Sequence, residues 1–394
     1  MKKKVLTGAV VMAMAASMLF GCSGSSSSGT TTAAGETAGE EAAGGDAAEE
    51  TQGEESTGEK VKIALLVTGS FGDKAFNDSA QAGMERLMNE MGDQVEVQMI
   101  EMGNDKTKFE GSMLDASESD ADIIITGLWD MKEITEQVAQ EFPEKRYIIF
   151  DTDVDYSLGD LSNVYSMSYK QNECAFLAGV LAASLTTSDV EYANDDAVIG
   201  FVGARDTAVV INDSAVGYIQ GAQFVNPDIK VMVSYVGSYV DSATAKELAL
   251  TQYSSGADCV FVAAGPASVG VIEAAAESQR YVIGVDSDQA LAYEGQEEAN
   301  YIVSSAIKNV GDSLVDAVKK DLAGELPYGE YQVLGLEDGV VGLADNEIYQ
   351  SIVPEEIQQA VNDAKDKIIS GEIEVNTAYG MDEATLNEII DSAQ

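Results

Sequence analysis

Residues 63–80 read IALLVTGSFGDKAFNDSA. An apolar run comes first, then a loop punctuated by Gly69 and Gly72, then polar and aromatic residues entering a helical pattern. A near-continuous apolar run of this length reads as a parallel strand covered on both faces. Asp73, Phe76, Asn77 and Asp78 follow at its carboxyl end, where open α/β sheets take their ligands. The stretch predicts one half of a small-molecule pocket, with the other half in a second lobe built the same way.

Further strand-like runs follow at 95–100, 122–126 and 147–150, with helical stretches between them. In the first helix Ala80, Met84, Leu87, Met88 and Met91 fall on one face, the spacing of an amphipathic helix. A second set of runs occupies 197–203, 230–236, 258–263 and 281–285. Asn77-Asp78-Ser79-Ala80 recurs 135 residues later as Asn212-Asp213-Ser214-Ala215, and Asp151-Thr152-Asp153 at the same offset as Asp286-Ser287-Asp288. Ala121-Asp122 recurs as Ala257-Asp258, 136 residues on. Three matches at nearly one offset predict two lobes of one topology facing a shared cleft. The fold class expected is α/β, with two doubly wound parallel-sheet lobes joined by a hinge of several crossovers. Residues 163–169 and 301–305 read as extended crossovers, 308–322 as a helix returning to the first lobe, and 331–336 and 339–343 as further strands. The first lobe is placed at 60–168 plus about 302–325, the second at 169–301 plus about 326–394.

Length and charge bound the function. A chain of 394 residues has room for two domain cores. Lys2, Lys3 and Lys4 precede a short apolar stretch, and Leu19-Phe20-Gly21-Cys22 follows. This predicts a lipoprotein signal at 1–21, with Cys22 acylated as the first mature residue and the chain held outside the cytoplasm on the cell membrane. The alternatives are a membrane anchor or an ordinary cleaved signal, and the apolar run is short for a span. The segment from Cys22 to Glu59 has no aromatic residue, no Lys and no Arg, so it reads as a disordered tether. A formal charge of −46 repels phosphate backbones and argues against nucleic-acid binding. The chain has no His, which removes Ser-His-Asp and Cys-His catalysis and ordinary zinc sites. Cys174 and Cys259 sit inside apolar patterns and read as small buried hydrophobes.

The chain from Val61 onward resembles the basic membrane protein family, solute-binding lipoproteins of ABC-type transporters that include purine nucleoside receptors. Asp73-Lys74-Ala75-Phe76-Asn77 is similar to the family's Asp-Lys-Ser-Phe-Asn signature, and FLAGVLAA at 176–183 to its central helix. Gly200-Phe201-Val202-Gly203, Gly256-Ala257-Asp258, IGVDSDQ at 283–289 and Ser305-Ala306-Ile307-Lys308 match in order. The resemblance implies a type I periplasmic-binding fold, a small-molecule ligand between the lobes, delivery to a permease and its ATPase, and neither cofactor nor metal. It further implies that Phe76 stacks on a base and that Asp73 and Asn77 bond its polar edges. Asp286 would accept from two ribose hydroxyls, Lys308 would donate from the hinge, and Gly265 would admit close backbone approach. Two departures bear on the ligand. Gly265-Pro266-Ala267-Ser268 stands where nucleoside receptors read Gly-Gly-Thr-Gly, and Ile211 stands where a second aromatic is usual. A base would then be covered on one side only, unless Trp129 or Tyr218 supplies the other face.

Each candidate also has a plain structural reading. Asp73 suits a helix cap, Phe76 a core position, and Asn77 and Asn212 local backbone bonding. Trp129, after the third strand, either lines the cleft or packs beneath it. Asp151 and Asp286 end buried strands, where a carboxylate is costly without partners, and Lys308 is able to pair with such a carboxylate. Asp151-Thr152-Asp153-Val154-Asp155 also resembles the calcium-binding start of nucleoside hydrolases. That motif continues with Pro-Gly and belongs at a first strand, whereas this one follows the fourth and is explained by the repeat. The reading reached is a binding protein without catalysis. The alternatives are a receptor for a non-nucleoside solute and a sensing lipoprotein, the latter separable by whether permease or sensor-kinase genes lie beside it.

Overall fold

The computed structural model describes residues 59–194 and 196–394. The signal at 1–21, Cys22 and nearly all of the tether lie outside the described residues. In the first lobe β1 (Val61–Val67), α1 (Phe76–Met91), β2 (Val95–Glu101), α2 (Phe109–Glu118), β3 (Ile123–Gly127), α3 (Lys132–Glu141), β4 (Arg146–Phe150) and β5 (Val164–Tyr169) follow in order. The second lobe opens with α4 (Gln171–Thr186), then β6 (Val198–Gly203), α5 (Val209–Val225), β7 (Lys230–Tyr235), α6 (Ser242–Ser254), β8 (Cys259–Ala263) and α7 (Ser268–Ser278). It continues through β9 (Tyr281–Asp286), α8 (Gln289–Ala292) and β10 (Ile302–Lys308). The remainder is α9 (Val310–Ala323), β11 (Tyr331–Leu334), β12 (Val341–Leu343), α10 (Glu347–Ile352), α11 (Glu355–Ile369) and α12 (Glu383–Ala393).

The two sheets have matching orders, β11-β5-β4-β3-β1-β2 and β12-β10-β9-β8-β6-β7. Every pairing is parallel except that of β12 with β10. The two-lobe α/β architecture is thus the one expected from the repeat, and β6–β10 retrace β1–β5. Three boundary expectations need correction. The segment at 302–305 is not a free crossover but part of β10, paired with β9 in the second sheet, so that stretch leaves the first lobe. Likewise 163–169 is chiefly β5, paired with β4, which puts Tyr169 in the first sheet. Residues 331–334 pair with β5 and so belong to the first lobe. The chain therefore crosses at Lys170, at Asn309 and between β11 and β12.

Strand alternation divides the first core. Ile63, Leu65, Val67, Ile123 and Ile125 face one cluster, while Ala64, Leu66, Ile124, Tyr147 and Ile149 face another beneath α2 and α3, as a period of two requires. In the second lobe α4 is apolar all round and buried along nearly its whole length, as befits a helix covered on every side. Small residues let α5 lie close against it. A Cβ on Gly221 would come within 2.0 Å of the Phe176 carbonyl oxygen, and one on Gly179 within 2.1 Å of the Tyr218 carbonyl oxygen. Gly221→Ala is expected to lower unfolding stability by roughly 1–3 kcal/mol in urea titration, because neither backbone can yield without parting the helices. Gly111, exposed within α2 with open space where a Cβ would go, gives the opposite sign: Gly111→Ala should stabilise by about 0.4–1 kcal/mol.

Candidate functional site

The carboxyl ends of both sheets supply the candidate site, and the ion pair at its centre spans the lobes. Lys308, last residue of β10, donates from Nζ to Oδ1 of Asp151, just past β4, at 2.8 Å. Both side chains are buried, 7% and 9% exposed. The same ammonium lies 5.7 Å from the ring centroid of Phe76 and 5.5 Å from that of Tyr169, so two aromatic faces of the first lobe help hold a charge brought by the second. Phe76 itself stacks on Phe150, with centroids 5.5 Å apart and planes inclined by 27°. Tyr169 is fully buried, its hydroxyl paired with Ser313 Oγ at 2.7 Å.

Asp286 ends β9 and is the third charge. Burial pushes its carboxyl up to about 6; Lys308 opposes that shift, while Asp151 and Asp73 add to it. Burial would by itself lower the Lys308 amine, but Asp151 and Asp286 more than offset it and hold the ammonium well above its ordinary range. Two carboxylates and one ammonium leave the site one negative charge in excess when Asp286 is ionised. A desolvated excess carboxylate calls for hydrogen-bond donors. Asp151 and Asp286 also share a backbone peculiarity, with φ of +58° and +67°. Left-handed backbone at a non-glycine residue is strained and gathers at functional sites. Here it occurs at repeat-related positions of the two lobes.

The β1–α1 loop is held by its own polar groups. Asp73 accepts from the backbone N–H groups of Ala75 and Asn77, both at 2.9 Å, and of Asp78 at 3.2 Å, so its carboxylate serves as the cap of α1. Asn77 donates from Nδ2 to the carbonyls of Thr68 and Ser70, both at 3.2 Å. Its repeat partner Asn212 does the same work in the second lobe, donating to the Asp206 carbonyl at 2.7 Å and accepting from the Tyr235 hydroxyl at 2.9 Å. Of the sequence candidates, Phe76, Asp151, Asp286 and Lys308 are brought together, with Asp73 near enough to act on Asp286. Asn77 and Asn212 pin loops behind them.

Trp129 is 71% exposed, with the Lys132 ammonium 5.7 Å from its ring. Tyr218 lies in the second core among Phe201 and Phe261, so it supplies no second face. Gly265 has φ of +56°, and a Cβ there would stand 3.4 Å from the ring of Tyr239. Tyr239 follows β7 and has Arg205 5.6 Å over its ring. Its phenol is raised by burial; Arg205 and Lys308 act against the shift, Asp151 and Asp286 with it. Sequence reasoning missed this half-buried aromatic, because the repeat places Asn104 at its first-lobe counterpart; its place two residues past Gly237 at a strand end was the available signal. Tyr379, from the segment before α12, is likewise raised by burial, with Asp151 adding and Lys308 opposing. Asp151→Asn should destabilise the chain toward the lower end of roughly 3–5 kcal/mol in chemical unfolding, since it leaves a buried ammonium with Asp286 alone. Adding Lys308→Met to that variant should recover part of the loss.

The profile of the family described as Bmp, "ABC transporter substrate-binding protein PnrA-like", matches residues 60–378. Basic membrane protein A1 of Borrelia garinii subsp. bavariensis is 30% identical over 316 residues, covering 79% of this chain and 87% of that one. A Lactococcus lactis subsp. cremoris protein named ABC transporter nucleoside-binding protein BmpA is 31% identical over 335 residues, covering 79% and 88%. Among solved structures, an ABC transporter solute-binding protein from Aeropyrum pernix K1 superposes with a TM-score of 0.73 at 25% identity, covering 84% of this chain and 98% of that one. With two matching lobes, charged and aromatic groups at facing strand ends, and a match over most of its length, the chain belongs to the Bmp family of PnrA-like ABC transporter substrate-binding proteins, a family of binding proteins and not of enzymes.

Proposed function

We propose that the chain is a lipid-anchored extracytoplasmic receptor that captures a nucleoside between its lobes and delivers it to an ABC permease. The observation that carries this reading is the juxtaposition of the Phe76 ring with the Lys308–Asp151 pair and the desolvated Asp286 carboxylate. A flat apolar face beside excess carboxylate suits a ligand with a stacking base and a sugar rich in hydroxyl donors. The nucleoside-binding name of the Lactococcus relative supports the same class. Phe76 stacks on the base, Asp286 takes paired sugar hydroxyls, Tyr239 borders the site from the second lobe, and Asp73, Asn77, Asn212 and Gly265 hold the loops that present these groups. Asp151 orients Lys308 and shares its charge. Trp129 sits at the rim, and Cys22 carries the acyl chains.

Capture follows from closure about the three crossings. A ligand shifts such an equilibrium only by its greater affinity for the closed form, so contacts from both lobes are required. Thermal-shift screening should show stabilisation by adenosine, inosine or another nucleoside, because a ligand of the folded state raises its melting temperature. The same bases as 5′-monophosphates should give little shift, since a phosphate would meet a site already in negative excess. Stabilisation only by sugars or amino acids would refute the nucleoside class.

Phe76→Ala and Asp286→Ala should each weaken nucleoside binding by roughly 1–3 kcal/mol in calorimetry, the range for losing an aromatic stack or a charge-assisted hydrogen bond. The pH dependence has a definite sign. Hydroxyl donors favour the ionised carboxylate, so affinity should be level above about pH 6, where Asp286 is charged, and fall as the pH drops through that value. In the Asp286→Asn variant this fall should be absent.

A further inference from the structure

Lys74 stands apart from the groups just described. It is exposed, has φ of +55°, and touches the second lobe in two ways. Its carbonyl oxygen accepts from Ser287 Oγ at 2.7 Å, and its ammonium lies 4.1 Å from the ring centroid of Tyr293. Lys74 lies between β1 and α1 in the first lobe, whereas Ser287 and Tyr293 flank α8 in the second. The loop that delivers Lys74 is fixed from behind: Asp78 accepts from the Lys74 N–H at 2.8 Å, and Asp73 caps the residues that follow. Beside these contacts runs a groove of about 620 Å³ lined from both lobes, by Lys74 and Arg86 on one side and Asp288 and Ala292 on the other. Along this part of the mouth the lobes therefore meet at separate contacts rather than through a packed core.

We propose that Lys74, Ser287 and Tyr293 form a latch across the mouth of the cleft, setting how long a bound ligand is held without touching it. Lys74 stands two residues before Phe76, and Ser287 directly follows Asp286. The latch joins the backbones that carry the two groups assigned to the ligand: Lys74 is itself left-handed, and Ser287 directly follows the left-handed Asp286. Lobe closure makes both latch contacts at once, and opening breaks both. These are positioning residues, acting through the closed state.

The proposal rests on capture between the lobes, and its test separates the two readings. In the full chain, Lys74→Met and Tyr293→Leu should each raise the dissociation rate of adenosine by roughly 3- to 30-fold, the span expected for losing a cation–π contact of this kind. Association should change less than twofold. Lys74→Arg and Tyr293→Phe keep a cation over a ring and should keep the slow dissociation. The double variant Lys74→Met/Tyr293→Leu should lose no more than the larger single effect. Unchanged dissociation in both single variants, or equal loss in Lys74→Arg and Lys74→Met, would overturn the latch. Small-angle scattering reads lobe closure without any added solute: a larger radius of gyration in the double variant supports the latch, and the radius of the unaltered chain counts against it. Failure of the unaltered chain to bind adenosine would count against the nucleoside reading alone, with the latch then decided by scattering.

Discussion

The buried pair of Lys308 and Asp151 is the constraint on which the geometry between the lobes depends. Each charge is carried by a different sheet, and each is nearly removed from water. Neither could be buried singly, since an unpaired charge in such a place costs several kcal/mol. In the proposed closure, bringing the lobes together and pairing these groups are one event. The pair contributes little net stability compared with an apolar substitute, but it ties the end of β10 in one sheet to the residue after β4 in the other. It also brings Phe76 and Tyr169 to either side of the ammonium and leaves Asp286 as the acceptor in excess.

Repetition accounts for the symmetry around that pair, and its breakdown for the asymmetry. The loops after β1 and β6 are each tied by an Asn bonding backbone carbonyls, and the strands β4 and β9 each end in an Asp with left-handed backbone. These devices have structural work to do in either lobe. Groups that face outward from them differ. Phe76 presents a ring from the first lobe, whereas its counterpart Ile211 packs into the core against Gly203. The second lobe brings its aromatic, Tyr239, from a different loop. Repeat-related positions thus preserve what holds each loop and vary what each loop offers.

The same division explains what could be read in the sequence. Strands β1, β3, β4, β6, β8 and β9 are legible because they are largely buried and read as apolar runs. The edge strands β2 and β7 are half exposed and are legible by their alternating or interrupted apolar residues. The fifth strands read as crossovers in the sequence because VYSMSY and IVSSAIK interrupt the apolar run with serines. Those serines are buried and bonded, as with Ser304 Oγ on the Ala344 carbonyl and Ser168 Oγ with the Tyr331 hydroxyl, partners that come from distant parts of the chain. Phe76, Asp151, Asp286 and Lys308 were legible as a set because strand ends and the offset of 135 residues placed them. The local duties of Asn77 and Asn212 were not separable from ligand contact in the sequence, since one side chain type suits both. Tyr239 was missed because its importance comes from what lies across the cleft.

The threading of the chain has a consequence for how the protein is made. Helix α1 is covered by α9, with Gly83 and Gly311 in such close approach that a Cβ on the former would lie 2.4 Å from the latter. That covering helix, and the edge strand β11 that follows it, are encoded after the whole of the sheet β6–β10. The amino-terminal lobe is therefore begun first and completed only after the strands β6–β10 of the second lobe have been made. Until residues 310–334 arrive, the side of α1 bearing Ser79 and Gly83 lacks the helix that packs on it, and β5 is an open edge. Contacts of such sequence separation close slowly, and exposed apolar faces and open strand edges are what aggregate during folding. The order of elements that supplies a hinge of three strands also leaves the first lobe exposed to misassociation until its last elements are made.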